Sequence, residues 1–134
     1  MEKPRPSGKM LRVLLLEDNP RDADLSIRKL SEAEFQFTAV VSRNSQEFKE
    51  LLEKQSYDLI LGDYRLPDWT GLEALRWLRS SGVATPFILV TGTLGDELAI
   101  ECIKAGVNDY VLKENLGPVA VRRALEEEKS AREA

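Results

Sequence analysis

The sequence predicts a single α/β domain, a five-stranded parallel sheet with helices on both faces, and three observations predict it. Short apolar runs alternate with longer amphipathic segments five times along the chain. Such alternation is typical of a parallel sheet whose right-handed crossovers cover both faces with helices. The run at 59–62 is almost wholly apolar, as expected of a strand buried on both sides. With 134 residues, 43% of them hydrophobic, the chain is long enough for one domain with a buried core.

The five strands are justified by the spacing of their apolar residues. The first, third and fourth are short continuous apolar runs, which indicate buried strands. The second alternates apolar and polar residues except at Val40, so we expect it to lie half exposed at a sheet edge. The fifth is a short run that follows Gly106. In chain order, the predicted strands are residues 11–16, 35–41, 59–62, 86–91 and 109–112.

Five helices follow the five strands, and local signals mark where they begin or end. A flexible turn at 92–95 leads into the fourth helix, which Gly106 ends in the left-handed conformation. The third is expected to end near 80–82, and the fifth is predicted from residue 116 to about 125. The first three begin at caps, namely Asn19 with a first-turn Pro20, and the capping-box pairs Asn44 with Glu47 and Thr70 with Glu73.

These elements place the domain at residues 11–127. Residues 1–10 are polar and rich in proline, and we expect a flexible tail there. Residues 128–134 favour a helix but carry no apolar face, so we interpret them as a charged helical extension that could lead into a further module. The chain is then either a domain that acts alone or a piece of a longer protein.

Composition excludes several classes of function. The chain has no histidine, which excludes His-based zinc sites, catalytic Ser-His or Cys-His pairs and a phosphohistidine within this chain. Its net charge of −4 offers no basic footprint, so we expect no nucleic acid to be bound. The single Cys102 cannot form an internal disulfide, which agrees with a reducing compartment. No apolar run approaches the ~20 residues of a membrane span, and we expect a cytoplasmic protein without a membrane partner.

Polar residues stand at the ends of four predicted strands. They are Glu17 and Asp18 after the first, Asp63 after the third, Thr91 at the fourth and Lys113 after the fifth. These side chains would meet in the crevice where α/β sheets bind ligands if the first and third strands are central neighbours. Each has an ordinary alternative, such as a turn-forming Asp, a β-branched strand residue, a solvated lysine or acids favoured by a helix start. Four coincidences at four strand ends favour a shared site.

Four segments together resemble a known family, the receiver domains of two-component response regulators. The resemblance covers roughly residues 11–127 and implies a (βα)5 flavodoxin-like fold with strand order 2-1-3-4-5. It also implies that Asp63 accepts a phosphoryl group from a histidine kinase or phosphotransfer protein. Such a domain promotes its own phosphorylation and dephosphorylation and is otherwise not an enzyme. The segments are Glu17-Asp18, Asp63 with Pro67 and Gly71, Thr91-Gly92, and residues 105–113.

The chemistry of phosphoryl transfer calls for these residue types. A carboxylate that attacks phosphorus is a negative group meeting a negative group, so a divalent cation must screen the approach. Lys113 would supply a cation opposite that metal, and Thr91 a hydroxyl for a phosphoryl oxygen. The ligands of Mg²⁺, or of Mn²⁺ in its place, would be Asp18, Asp63, Glu17 directly or through water, and the backbone carbonyl of Arg65.

The resemblance also implies how the signal leaves the site. Thr91 and Tyr110 stand at the family's switch positions, where the hydroxyl shifts toward the phosphoryl group and the aromatic ring fills the space it leaves. The surface of the fourth helix, fifth strand and fifth helix would change, and a homodimer could form through it. Arg65 and Thr93 stand where dephosphorylation is modulated. The alternatives are that Tyr110 only packs on the sheet edge with its hydroxyl in water, and that Arg65 is merely solvated.

Two residues depart from the commoner family pattern, and two rival classes stay open. Glu114 replaces the proline that usually follows the lysine, and Glu17 replaces an aspartate, which lengthens one arm of the metal site. One rival is a receiver-like domain that accepts no phosphate and only docks partners. The other is a Mg²⁺-dependent hydrolase with an aspartyl-phosphate intermediate, such as the haloacid dehalogenase-like phosphatases, whose D-x-D pattern is absent after the first strand. A nucleotide-binding module is disfavoured because no glycine-rich phosphate loop is present.

Overall fold

Within the residues it describes, 10–32, 36–92 and 96–133, the computed structural model contains five parallel strands and five α-helices in alternation. The side chains of residues 96, 97, 99, 118 and 127–133 are not part of that description. The strands are β1 (Leu11–Leu16), β2 (Phe37–Ser42), β3 (Leu59–Asp63), β4 (Phe87–Thr91) and β5 (Asp109–Leu112). The helices are α1 (Pro20–Ser31), α2 (Ser45–Lys54), α3 (Gly71–Ser80), α4 (Asp96–Lys104) and α5 (Pro118–Glu133). A 3₁₀ turn lies between β5 and α5, at Lys113–Asn115.

The sheet has the strand order β2-β1-β3-β4-β5, and every pairing is parallel. The predicted α/β fold and strand order are therefore confirmed. Leu16 lies opposite Gly62 across the β1–β3 pair, and Asp63 lies opposite Val90 across the β3–β4 pair. β2 is an edge strand with mixed exposure, as its alternating sequence predicts.

Two apolar clusters bury the two faces of the sheet. Alternate residues of β1 point to opposite faces, because side chains alternate along a strand. One cluster packs α1 and α5 on the sheet, and the other packs α2, α3 and the buried Cys102 of α4. Cys102 is therefore a packed thiol, as the sequence predicts. Representative members of the first cluster are Val13, Leu15, Leu61, Ala23, Leu30 and Val121, and of the second Leu14, Leu16, Phe48, Leu75, Leu78 and Phe87.

Several element boundaries differ from the predicted ones. β2 begins at Phe37, and the predicted strand residue Phe35 lies outside the described residues. α5 begins at Pro118 rather than at residue 116, because the 3₁₀ turn occupies the chain after β5, and it continues to Glu133. Residues 1–9 of the predicted tail lie outside the described residues. Residues 93–95 of the turn before α4 also lie outside them.

The helix caps follow the sequence signals with one difference. At α3 the Thr70 N–H donates to Glu73 at 2.8 Å and the Glu73 N–H donates to the Thr70 hydroxyl at 3.1 Å, a complete capping box. At α2 only half of the predicted box forms. The Glu47 N–H donates to Asn44 at 2.9 Å, but the Glu47 carboxylate accepts the Arg43 N–H at 2.8 Å, where the Arg43 guanidinium also pairs with it. Gly106 has φ of 92°, which confirms its left-handed conformation.

The α2–α3 side carries both tryptophans of the chain. The Lys49 ammonium lies 5.3 Å from the ring centroid of Trp69 and 5.2 Å from that of Trp77, which is cation–π distance. Nearby, Asp68 accepts hydrogen bonds from the Ser45 N–H at 3.2 Å and from the Ser45 hydroxyl. The loop that follows β3 is therefore bonded to the first turn of α2. Among the helices described, none combines the length and the apolar character needed to cross a membrane.

Candidate functional site

The carboxyl ends of β1, β3, β4 and β5 lie along one edge of the sheet. The register of the central strands brings Glu17, which follows β1, beside Asp63, which ends β3. Thr91 ends the neighbouring β4, and Lys113 directly follows β5. The predicted crevice therefore forms, because parallel strands run in one direction and their carboxyl ends lie side by side at the same end of the sheet.

Three carboxylates form a cluster in this crevice. Glu17, Asp18 and Asp63 each offer an oxygen, and these oxygens all lie within 4.8 Å of one another. The side chains of Glu17 and Asp63 are only 7% and 11% exposed, whereas Asp18 faces solvent. Mg²⁺ prefers a few carboxylate oxygens and keeps its other positions for water and phosphate. The donor set therefore fits a hard divalent cation.

Glu17 is held by hydrogen bonds at its backbone and at its carboxylate. Its N–H donates to the Ser42 carbonyl at 2.9 Å, and its carboxylate accepts the Asn19 N–H at 3.1 Å. Burial and the neighbouring charge of Asp63 raise the pKa of Glu17 to about 7, against a smaller lowering by the Asn19 hydrogen bond. In the metal-free site Glu17 is thus partly protonated near neutral pH. Binding of a cation would release that proton.

Lys113 faces the carboxylate cluster from β5. Its Nζ lies 3.4 Å from Glu17 Oε1 and 3.4 Å from Asp63 Oδ2, and it is closer still to a carboxylate oxygen of Asp22. Burial alone would lower the pKa of Lys113, but the hydrogen bond to Asp22 and the charges of Asp63 and Glu17 raise it above its usual value. Lys113 is therefore a fixed cation within reach of Asp63.

The loop after β3 holds the Asp63 side chain and the backbone that follows it. The Tyr64 N–H donates to Asp63 Oδ1 at 2.8 Å, and the Gly71 N–H donates to the Tyr64 carbonyl at 2.8 Å. A Cβ at Gly71 would lie 2.3 Å from the Asp63 carbonyl oxygen and 2.6 Å from Leu89 Cδ1. Only glycine fits there, which explains in physical terms why a glycine stands at the start of α3.

Arg65 and Thr93 are the two residues predicted to modulate dephosphorylation. Arg65 pairs with Thr70 in an isolated antiparallel bridge, so its backbone is fixed close to Asp63 while its side chain is exposed. Thr93 lies outside the described residues. The predicted role of the Arg65 carbonyl as a metal ligand stays a prediction.

Thr91 and Tyr110, the predicted switch pair, lie on the same face of adjacent strands. Tyr110 lies opposite Leu89, and Thr91 is two residues beyond Leu89, so both point to one face. Thr91 is buried, and the Tyr110 ring packs against the α2–α3 cluster. The Tyr110 hydroxyl oxygen is shielded from solvent. The alternative that places this hydroxyl in water is therefore wrong for the structure described.

Sequence reasoning missed two acids that join separate elements around the site. Asp22 lies in the first turn of α1 and bonds Lys113, and Asp68 bonds Ser45 of α2. The only sequence signal for Asp22 is an acid in a helix's first turn, which the helix dipole explains without any further role. Neither contact follows from spacing along the chain, because each joins separate elements.

A groove opens beside the acidic cluster, between the start of α1 and α2. Its volume is about 560 Å³, and Asp18 and Glu17 contribute to its lining. Its lining combines apolar side chains with charged side chains of both signs. The Ala23, Val41 and Leu51 side chains contribute to the lining. Asp18, the exposed member of the acidic pair, is therefore accessible from this groove.

The sequence matches the family of response regulator receiver domains over residues 13–125. The chain therefore belongs to that family, a signalling module of two-component systems, and its signalling role follows from that membership.

Among individual relatives, the chain is similar to the cell cycle response regulator CtrA of Brucella ovis and of Brucella abortus strain 2308. Each is 37% identical over 103 residues, which are 77% of this chain and 44% of CtrA. The chain thus spans less than half the length of these relatives.

Solved structures agree with the fold. The receiver domain of the Francisella response regulator 1452 matches with a TM-score of 0.74 and 26% identity, over 90% of this chain and 98% of that one. The signal receiver domain of a putative Luxo repressor protein from Vibrio parahaemolyticus matches with a TM-score of 0.79 and 24% identity, over 92% and 96% of the two chains. At 24% identity, the match to the Vibrio parahaemolyticus domain is evidence for the fold alone.

Proposed function

We propose that Asp63 accepts a phosphoryl group from a partner histidine kinase or phosphotransfer protein. Glu17, Asp18, Asp63 and the backbone carbonyl of Arg65 would hold the Mg²⁺ or Mn²⁺ that the transfer needs. One observation carries the proposal: the Lys113 ammonium lies 3.4 Å from Asp63, and Asp63 belongs to a cluster of three carboxylates. A fixed cation and a divalent-cation site at the same carboxylate are what phosphoryl transfer requires of a protein.

In the proposed transfer, an Asp63 oxygen forms a bond to phosphorus while the bond from phosphorus to the donor's imidazole nitrogen breaks. The imidazole leaves with the electron pair of the broken bond. A bound divalent cation supplies charge screening between the two negative groups. Lys113 then offsets charge on the phosphoryl oxygens, and the Thr91 hydroxyl donates a hydrogen bond to one of them.

The test is chemical phosphorylation followed by intact-mass analysis. With acetyl phosphate or a small phosphoramidate and Mg²⁺, the mass should rise by one phosphoryl group. The gain should disappear in Asp63→Asn and persist in Asp24→Asn, which removes an exposed carboxylate from α1. An unchanged wild-type mass, or a gain that survives in Asp63→Asn, would contradict the assignment. An unmodified protein would favour a domain that only docks partners.

The same proposal extends to the readout. Thr91 and Tyr110 would couple the phosphoryl group to the surface of α4, β5 and α5, and a homodimer would form through that surface.

Arg65 and Thr93 would set the lifetime of the phosphoryl group, which the dephosphorylation rates of Arg65→Ala and Thr93→Ala measure. We also propose that the domain acts in the cytoplasm, binds no nucleic acid itself, and catalyses nothing beyond its own phosphorylation and dephosphorylation.

A further inference from the structure

We propose that Asp22 is a positioning residue that draws the Lys113 ammonium toward the α1 side of the crevice, so that its contacts with the carboxylates that bind the cation are the longer ones. The shortest contact of Lys113 Nζ is with Asp22 Oδ2, while Glu17 and Asp63 each lie 3.4 Å away. The ammonium is therefore shared unequally among three acids. This inference rests on the proposed function, because it assigns Glu17 and Asp63 to the cation.

Asp22 is free to bond Lys113 because Glu17, and not Asp22, accepts the hydrogen bond from the N–H of the helix cap. Asp22 is the third residue of α1, the position from which an acid commonly bonds back to the N–H of the cap residue. Here the N–H of the cap residue, Asn19, donates instead to Glu17 at 3.1 Å. The Asp22 N–H is itself bonded to the Asn19 side chain at 3.3 Å. The backbone of Asp22 is thus fixed while its carboxylate turns to Lys113.

Asp22 bonds the Lys113 ammonium, a positive charge that lies beside the carboxylates expected to bind the metal ion. Lys113 is 19% exposed, and its ammonium would compete with a metal ion for the same oxygens of Glu17 and Asp63. Two positive charges at close range repel, more strongly in a partly buried site than in water. An acid on the far side of Lys113 relieves that competition. Asp22 would thereby keep the two inner carboxylates available while leaving the lysine close to the phosphoacceptor.

Two neighbouring acids, one before α1 and one within it, show why the role falls to Asp22. Asp18 belongs to the carboxylate cluster itself. Asp24 lies on the same helix and is exposed, and it lines the groove between α1 and α2. Asp24 has the same charge as Asp22 and provides the matched control.

The experiment is a double-mutant cycle read out by Mg²⁺ binding, measured by isothermal titration calorimetry on the unphosphorylated chain. Asp22→Asn should weaken Mg²⁺ binding by roughly threefold to tenfold, the range expected when contacting charged residues are coupled. Lys113→Met should tighten binding. In the Lys113→Met background, Asp22→Asn should change the affinity by less than about twofold, because the residue it acts through is gone. Asp24→Asn should change it by less than about twofold in either background.

Equal losses on Asp22→Asn with and without Lys113 would overturn the proposal, since Asp22 would then act only through its general field. No loss in the wild-type background would overturn it as well. If the wild type bound no Mg²⁺ at all, the proposed metal site would fail, and a metal-free measurement would still decide the role of Asp22.

That second measurement follows the lysine directly. In protein with ¹³C-labelled lysine, the Lys113 signal is assigned by its loss in Lys113→Met. The two Hε protons should be distinct in the wild type and in Asp24→Asn, and should merge toward the position of a free lysine in Asp22→Asn. Asp22→Glu, which keeps the carboxylate, should retain part of the separation. A Lys113 signal that Asp22→Asn leaves unchanged would show that Asp22 does not hold the lysine.

Discussion

Glu17 is a buried acid whose proton should make the stability of the metal-free protein depend on pH. Its pKa is raised from the ordinary 4.5 to about 7, first by burial and then by Asp63. Between these values the unfolded chain releases the proton and the folded chain retains it, so stability falls as pH rises. A shift of this size corresponds to about 3 kcal/mol. Thermal unfolding in EDTA should therefore give a lower free energy of unfolding at pH 8 than at pH 5.

The matched variant for this prediction is Glu17→Gln, which cannot titrate. Its free energy of unfolding should fall less than that of the wild type over the same interval. The raised pKa of Lys113 does not disturb the comparison, since a lysine whose pKa is raised contributes fully below its unfolded value. Parallel pH profiles for the two proteins would rule out Glu17 as the titrating group.

At the scale of elements, the start of α3 packs against Asp63 without room for a larger residue. Gly71 has no room for a Cβ, because the Asp63 carbonyl would lie 2.3 Å from it. Gly71→Ala should therefore destabilise the protein by about 2 kcal/mol, as overpacking does, and should also slow phosphorylation by displacing Asp63. Denaturant unfolding and the rate of mass gain with acetyl phosphate measure the two effects.

Gly117→Ala is the control for Gly71→Ala, because nothing lies within 4 Å of a Cβ built at Gly117. It should leave both stability and the phosphorylation rate close to the wild type. If Gly71→Ala phosphorylates at the wild-type rate, the packing of α3 on the Asp63 carbonyl has no bearing on the chemistry.

Helices and strands were predictable from the sequence where the signal lies in neighbouring residues. Site residues were predictable where the strand order alone brings them together. The residues of the apolar run of β3 are consecutive, and the two residues of the α3 capping box are three positions apart. Periodicity and side-chain chemistry are therefore enough to predict both. The meeting of Glu17 and Asp63 follows from parallel pairing alone. The bond between Asp22 and Lys113 joins residues 91 positions apart, and the choice among neighbouring acids depends on how α1 packs. The half-formed cap of α2 likewise depends on the guanidinium of Arg43.

At the scale of the whole molecule, α4 and α5 leave large apolar side chains in water. Ile100 and Ile103 are 53% and 68% exposed, and Val119 at the start of α5 is 64% exposed. Ile100 and Ile103 are three residues apart and therefore share a helix face. We expect beryllofluoride, a phosphoryl mimic, to promote a homodimer through this surface. Ile103→Ser should weaken that dimer by at least about tenfold in analytical ultracentrifugation.

Val41→Ser is the matched control, because Val41 is an exposed apolar residue on the edge strand β2, at the other side of the sheet. Association should be unaffected by it. Thr91→Ala should prevent beryllofluoride from promoting the dimer, since the proposed switch begins at that hydroxyl. A dimer that forms equally well with and without beryllofluoride would contradict the switch, and one that survives Ile103→Ser would place the interface elsewhere.

The two tryptophans give the molecule an optical probe that sees only one of its sides. Trp69 lies on the loop that leads from Asp63 to α3, and Trp77 lies on α3, with the Lys49 ammonium over both rings. Indole emission responds to a nearby charge, so ultraviolet fluorescence would follow movements of this loop and of α2. The chain has no third indole, so the emission reports the surroundings of Trp69 and Trp77 alone. A titration that changes the fluorescence would therefore report a change around α2, α3 and the loop beside Asp63, including the cluster that Trp77 shares with Tyr110.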